Sequence, residues 1–139
     1  MSVVNAYLFQ HVGIPVEDLQ RSQQFYIEVL GLHVTKESST WGVDAPVRLH
    51  CGDSPDCGQQ VVLFKRRKPA DRREPEDDGD SHHAFVVTPD EFDRAMEKFK
   101  EMGIFHRGPI TWPSSVHRTL YFFDPDRNYL QLSDSPDAL

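Results

Sequence analysis

HVGIPVEDLQRSQQFYIEVLGL, residues 11–32, changes its hydrophobic period partway along, and that change decides the fold. Over residues 7–16 apolar side chains alternate as in a half-buried strand. Asp18 then stands where a helix N-cap belongs, an amphipathic stretch runs to Leu30, and Gly31 suits a left-handed C-terminal cap. Three segments rich in Val, Leu or Phe follow at 32–36, 45–51 and 59–65, separated by Gly, Pro, Asp and Ser turn signals. The predicted order is β-α-β-β-β.

The order then returns. HHAFVV, residues 82–87, reads as a strand, and TPDE after it supplies a capping Thr88, Pro89 at the first helical position and Glu91 three residues past the cap. Phe92, Ala95, Met96, Phe99 and Met102 recur at helical spacing, Gly103 closes the helix, and strands are expected at 104–106, 119–123 and 129–133. Matching His11 with His82 aligns strand to strand and helix to helix, a duplication that occurs twice and so predicts one pseudo-symmetric domain rather than a repeat array. The domain spans 1–139, with module one at 6–65, a charged linker at 66–80 whose bases precede its acids, and module two at 81–133.

Strand alternation sorts the polar residues. Val12, Ile14 and Val16 face the helix and leave His11 on the other side; His83, Phe85 and Val87 do the same and leave His82 there, as the mate of His11. In the last strand Leu130 and Leu132 take the apolar face, so Tyr129 and Gln131 join the histidines. Tyr121 and Phe123 alternate with Leu120 and Phe122; alternation alone leaves open which pair packs in the core. Asp124-Pro125-Asp126-Arg127-Asn128 has the chemistry of a turn between the last two strands. His33, His50 and His106 read as surface or packing residues.

The stretch HVGIPVEDLQRSQQFYIEVLGL, the HHAFVV strand and YFFDPDRNYLQL together resemble the vicinal oxygen chelate superfamily, which includes glyoxalases, extradiol dioxygenases, and fosfomycin and bleomycin resistance proteins. The resemblance implies an α+β fold, two βαβββ modules forming a U-shaped, mostly antiparallel sheet around a cavity, and a homodimer that completes that cavity. Carried over by position, it implies a divalent metal (Zn, Ni, Mn or Fe) held by His11, His82 and Gln131. The last position commonly holds glutamate in the family, and a glutamine carbonyl supplies a neutral oxygen with no capacity to take a proton. A fourth ligand would fall near Val62 or Leu63, which cannot coordinate, with Gln60 the nearest polar residue. Where relatives have glycine in the last turn this chain has Arg127, which a left-handed position resists, so a local difference in the turn is expected.

Two imidazoles, an amide oxygen and open positions would let a small substrate chelate through neighbouring oxygens. Lyase, isomerase or transferase chemistry follows, with Trp112, His117, Arg118, Tyr121 and Tyr129 as candidate substrate contacts. Extradiol ring cleavage is disfavoured because its usual carboxylate ligand is missing. The alternatives are a metal-free, bleomycin-type binding protein with an acidic aromatic groove and a scaffold that has lost its site.

Composition narrows the partners. With 139 residues, 38% hydrophobic and 27% charged, the chain can bury a core without disulfide or metal staples. Twenty-two acidic residues against fifteen basic ones give a net charge of −7, which repels phosphate backbones and anionic lipid, so nucleic acid and membrane are not expected partners. No apolar run approaches the roughly 20 residues of a membrane span, and the start lacks a secretory pattern, so a cytoplasmic location with reduced Cys51 and Cys57 is expected.

Overall fold

The computed structural model describes residues 2–4, 6, 9–36, 38–42, 44–54, 59–66, 81–113 and 117–135. The expected strand start at Tyr7, Cys57, the linker from 67 to 80 and residues 114–116 lie outside the described residues. The chain divides into two compact units, Met1–Ala70 and Asp71–Leu139.

The first unit holds β1 (His11–Val16), α1 (Leu19–Glu28), β2 (His33–Val34), a 3-10 turn at Ser38–Thr40, β3 (Val47–His50) and β4 (Gln60–Lys65). Asp18 caps α1, its carboxylate accepting the Arg21 N–H at 3.0 Å, which satisfies a donor the helix itself cannot. Gly31 takes φ 67° and the Leu32 N–H returns to the Tyr26 carbonyl at 3.1 Å, closing the helix end. The strands form a mixed sheet in the order β1-β4-β3-β2, with β1 and β4 parallel and the other pairs antiparallel. Ile14 lies opposite Leu63, and Val61 opposite Leu49; these side chains are buried together with Leu19 and Tyr26 of α1. As the alternation predicts, His11 and Gly13 fall on the other face, where Gly13 gives room to Phe64: a Cβ there would stand 3.1 Å from the ring.

The second unit repeats the plan with β5 (His83–Val87), α2 (Pro89–Met102), β6 (His106–Thr111), β7 (Arg118–Phe123) and β8 (Tyr129–Asp134), in the order β5-β8-β7-β6. The expected capping box forms: Thr88 Oγ1 accepts the Glu91 N–H, and the Glu91 carboxylate accepts the Thr88 N–H. Phe92 and Phe99 of α2 sink into a core with Leu120, Phe122, Leu130 and Leu132, the Phe99 and Phe122 rings 4.9 Å apart. Each such aromatic contributes about 2–3 kcal/mol by leaving water. The structure also resolves the open alternation: Leu120 and Phe122 pack under the helix, while Tyr121 and Phe123 belong to the opposite face.

One strand moves relative to the sequence reading. β6 begins at His106 rather than ending there, and it runs through Gly108-Pro109, a pair that reads as a turn. An edge strand tolerates it, because proline removes a donor the edge does not use, and the ladder to β7 shifts register between Arg107 and Ile110.

Candidate functional site

Cross-strand register assembles the non-helical face of the second unit. Ala84 lies opposite Gln131, Gln131 opposite Tyr121, and Phe123 opposite Tyr129. His82 precedes β5, and its imidazole meets Tyr121 and Tyr129 edge-on at 5.6 and 5.8 Å. Tyr129 is stacked between Tyr121, 5.5 Å away, and Phe123, 5.1 Å away, with the Arg127 guanidinium beyond Phe123 at 5.1 Å. Both tyrosines are buried, Gln131 is half-buried and His82 is exposed, so a floor of rings lies beneath the imidazole.

Each unit presents donor atoms of its own. The Gln131 amide nitrogen turns toward Ser133 Oγ at a long 3.5 Å, leaving the carbonyl oxygen as the donor. In the first unit His11 Nδ1 lies 3.0 Å from the Gln10 side-chain carbonyl, an acceptor, which suits the neutral tautomer that donates from Nδ1 and offers Nε2. Val62 lies opposite Gly13 as Gln131 lies opposite Ala84, so the expected fourth position holds no donor; Gln60, the nearest polar residue, stands opposite His11 and its oxygen accepts Arg48 Nη1 at 2.8 Å. Among the described residues no three His, Cys, Asp or Glu side chains stand together as a metal cluster.

Arg118 sits elsewhere than expected. It belongs to the helix side of β7, where Nε and the backbone N–H bond the Asp134 carboxylate at 2.7 and 2.6 Å, Nη1 bonds Asp93 at 2.7 Å, and the guanidinium lies 4.5 Å above Phe92. Burial alone would raise the Asp134 pKa; the two Arg118 hydrogen bonds, with attraction from Arg118 and His117, outweigh it and hold the carboxyl below the usual range. Arg118 therefore joins α2 to the sheet and is not brought together with Tyr121, Tyr129 and His82. Trp112 follows β6 and is exposed; His117 precedes β7 and is half-buried. The two border residues 114–116.

The Asp124–Asn128 turn is structural, as expected from its residues. Buried Asp124 accepts the N–H groups of Asp126 and Asn128, both at 2.8 Å, and the Asn128 side-chain amide at 2.8 Å. Arg127 adopts φ 63°, the left-handed conformation, in spite of its side chain. The hydrogen bonds to Asp124 and the contact of Arg127 with Phe123 offset a left-handed cost of about 1–2 kcal/mol. Phe123 extends the aromatic column as the alternation with Tyr121 allowed, whereas the contact of Arg127 with Phe123 had no signal in the sequence. Cys51 is a free thiol whose pKa burial pushes up, consistent with an unreactive residue.

Residues 8–132 match the family described as the Glyoxalase/Bleomycin resistance protein/Dioxygenase superfamily. The chain is 30% identical over 129 residues to the uncharacterized protein YwkD of Bacillus subtilis, covering 88% of this chain and 92% of that one. It is 29% identical over 129 residues to the glutathione transferase FosA of Serratia marcescens, covering 88% and 77% respectively. The structure of a glyoxalase/dioxygenase from Nostoc punctiforme superposes with a TM-score of 0.71 at 27% identity, covering 96% of this chain and 99% of that one.

Proposed function

The chain belongs to the Glyoxalase/Bleomycin resistance protein/Dioxygenase superfamily, and from that premise we propose that it is a metal-dependent enzyme transferring a thiol nucleophile to a small electrophile with neighbouring oxygen atoms. The observation that carries the reading is the face on which an exposed imidazole, His82, and a half-buried amide oxygen, Gln131, stand over a tyrosine floor. His11, placed by its own strand on the face away from α1, would be the third ligand.

A divalent ion held by these groups would supply Lewis acidity to the oxygens that chelate it. The protein's own part follows from its residues. Two imidazoles and an amide add no negative charge, so an anionic substrate is not repelled. Neither Gln131 nor Gln60 can take a carbon-bound proton, which counts against a proton-shuttling isomerase or lyase. A thiol, by contrast, ionises near neutral pH without a strong protein base. Tyr121 and Tyr129 would fix the His82 ring and form the floor, and Trp112 and His117 would contact substrate at the rim. The likeness to a glutathione transferase supports the same choice.

The test is elemental analysis of untagged protein purified without added metal, beside the His82→Ala variant, followed by thiol conjugation assays with the metal found. One divalent ion more per chain in the wild type than in the variant, with conjugation lost in the variant, is the expected result. Failure to bind Zn²⁺, Ni²⁺, Mn²⁺ or anaerobic Fe²⁺ would turn the reading to a metal-free binding protein, for which the stacked aromatic column and the charge of −7 are the supporting features.

A further inference from the structure

The non-helical face of the first unit carries a row of polar side chains that the register sets side by side. His11 lies opposite Gln60, Gln60 opposite His50, and His50 opposite His33. The far end of this row contains two imidazoles that the proposed enzyme does not use. Their ring centroids are 5.4 Å apart and their planes differ by 31°. We propose that His33 and His50 form a second metal site, a two-imidazole clip for a divalent first-row transition ion.

Three observations carry it. First, the pair is held by sheet register: His33 and Val34 face His50 and Leu49, and the next Thr35 N–H bonds the Arg48 carbonyl at 2.9 Å, so neither imidazole depends on a loop for its position. Second, the spacing suits shared coordination. With metal to nitrogen distances of about 2.0–2.1 Å, two rings on one ion at an angle near tetrahedral have their centres roughly 5 Å apart. Third, the tautomer of His50 is assigned by its neighbour. Its Nδ1 lies 3.3 Å from the Cys51 carbonyl, which can only accept, so Nδ1 is the protonated nitrogen and Nε2 is the one with a lone pair. A ligating imidazole that donates its other N–H to a backbone carbonyl is the usual outer arrangement of metal-bound histidine.

Burial decides the direction of approach. His50 is buried and His33 exposed, so an ion reaches the pair from the His33 side and keeps water at its remaining positions. The Arg48 guanidinium is directed at Gln60 Oε1, 2.8 Å away. Imidazole donors select Cu²⁺, Ni²⁺ or Zn²⁺ over Mg²⁺ and Ca²⁺. The proposal does not rest on the enzyme reading, since none of its residues is among His11, His82 and Gln131.

The experiment uses the untagged full chain, stripped with chelator, in the His82→Ala background. Calorimetric titration with Ni²⁺ should show one ion per chain, and adding His33→Ala should weaken that binding at least about tenfold, the loss that even an outer-shell defect can cause. His33 is exposed, so its truncation leaves the fold intact, which circular dichroism checks; His50→Gln provides a second, less disruptive variant. Bound Ni²⁺ should also broaden the amide resonances of β2 and β3 before those of β5. Absence of Ni²⁺ binding in the His82→Ala chain, or binding unchanged by both His33→Ala and His50→Gln, overturns the proposal. Identical Ni²⁺ uptake by wild type and His82→Ala would instead count against the enzyme site and leave this one standing.

Discussion

A glutamine at position 131 brings oxygen without charge, and that single replacement sets how strongly the proposed centre can hold an ion. Gln131→Glu adds a carboxylate of nearly the same length on the same strand face, so divalent metal affinity should rise at least about tenfold by calorimetry. An unchanged or lower affinity would remove Gln131 from the ligand set. Asp134 makes a prediction of a different kind. Its carboxyl is held below the ordinary range in the folded chain, so the unfolded chain takes up the proton first. The stabilisation is complete above about pH 4 and is lost as pH falls through the lowered folded value. The Asp134→Asn variant should be less stable at neutral pH and show a flatter acid limb in urea titrations; parallel limbs in the two proteins would exclude this origin. Residue faces were legible where a strand has an obvious apolar side, as for His11 and Gln131. Arg118 was not, because its partners Asp134 and Asp93 lie 16 and 25 residues away and nothing local announces them. The His33 and His50 pair escaped for the same reason, being set by register across a 17-residue separation.

At the level of elements, the helices were the most readable parts because their ends are written in local chemistry. Asp18, Thr88, Glu91, Gly31 and Gly103 all occupy the cap positions their side chains suit. β6 was the least readable, since Gly108-Pro109 carries the signal of a turn while serving an edge strand. Gly108 has φ 122°, and a Cβ there would stand 2.7 Å from the Thr119 carbonyl oxygen of the neighbouring strand. Gly108→Ala should therefore destabilise the protein by about 2 kcal/mol or more, through both backbone strain and displacement of β7. Chemical denaturation measures this directly, and a loss below about 0.5 kcal/mol would show that β6 is free to move away.

For the whole molecule, the two units have the same strand order and the same run of strand, helix and three strands, and the proposed centre takes His82 and Gln131 from the second. Metal should then stabilise the chain as a single ligand does. At a free ion concentration one hundred times Kd, binding adds about 2.7 kcal/mol, which for a chain of this size raises the melting temperature by about 10 °C. Chelator should reverse the shift, and His11→Ala and His82→Ala should each reduce it to what the His33 and His50 pair supplies; a shift unchanged in both variants would remove them from the stabilising site. The duplication itself was legible because matched caps and matched strands recur at nearly the same offset, Asp18 to Thr88, His11 to His82 and Gly31 to Gly103.

The parallel pairing that places β1 and β5 has a kinetic consequence. β1 meets β4 by joining His11 to Gln60, and β5 meets β8 by joining His83 to Leu130, whereas β7 and β8 are joined by one short turn. Closing the longer loops costs more chain entropy and waits on the hairpins that form the rest of each sheet. The first strand of each half is thus the last to dock. In the metal-free chain the amide hydrogens of β1 and β5 should exchange with solvent ahead of those in β7 and β8, and a bound ion would act on folding as a late lock.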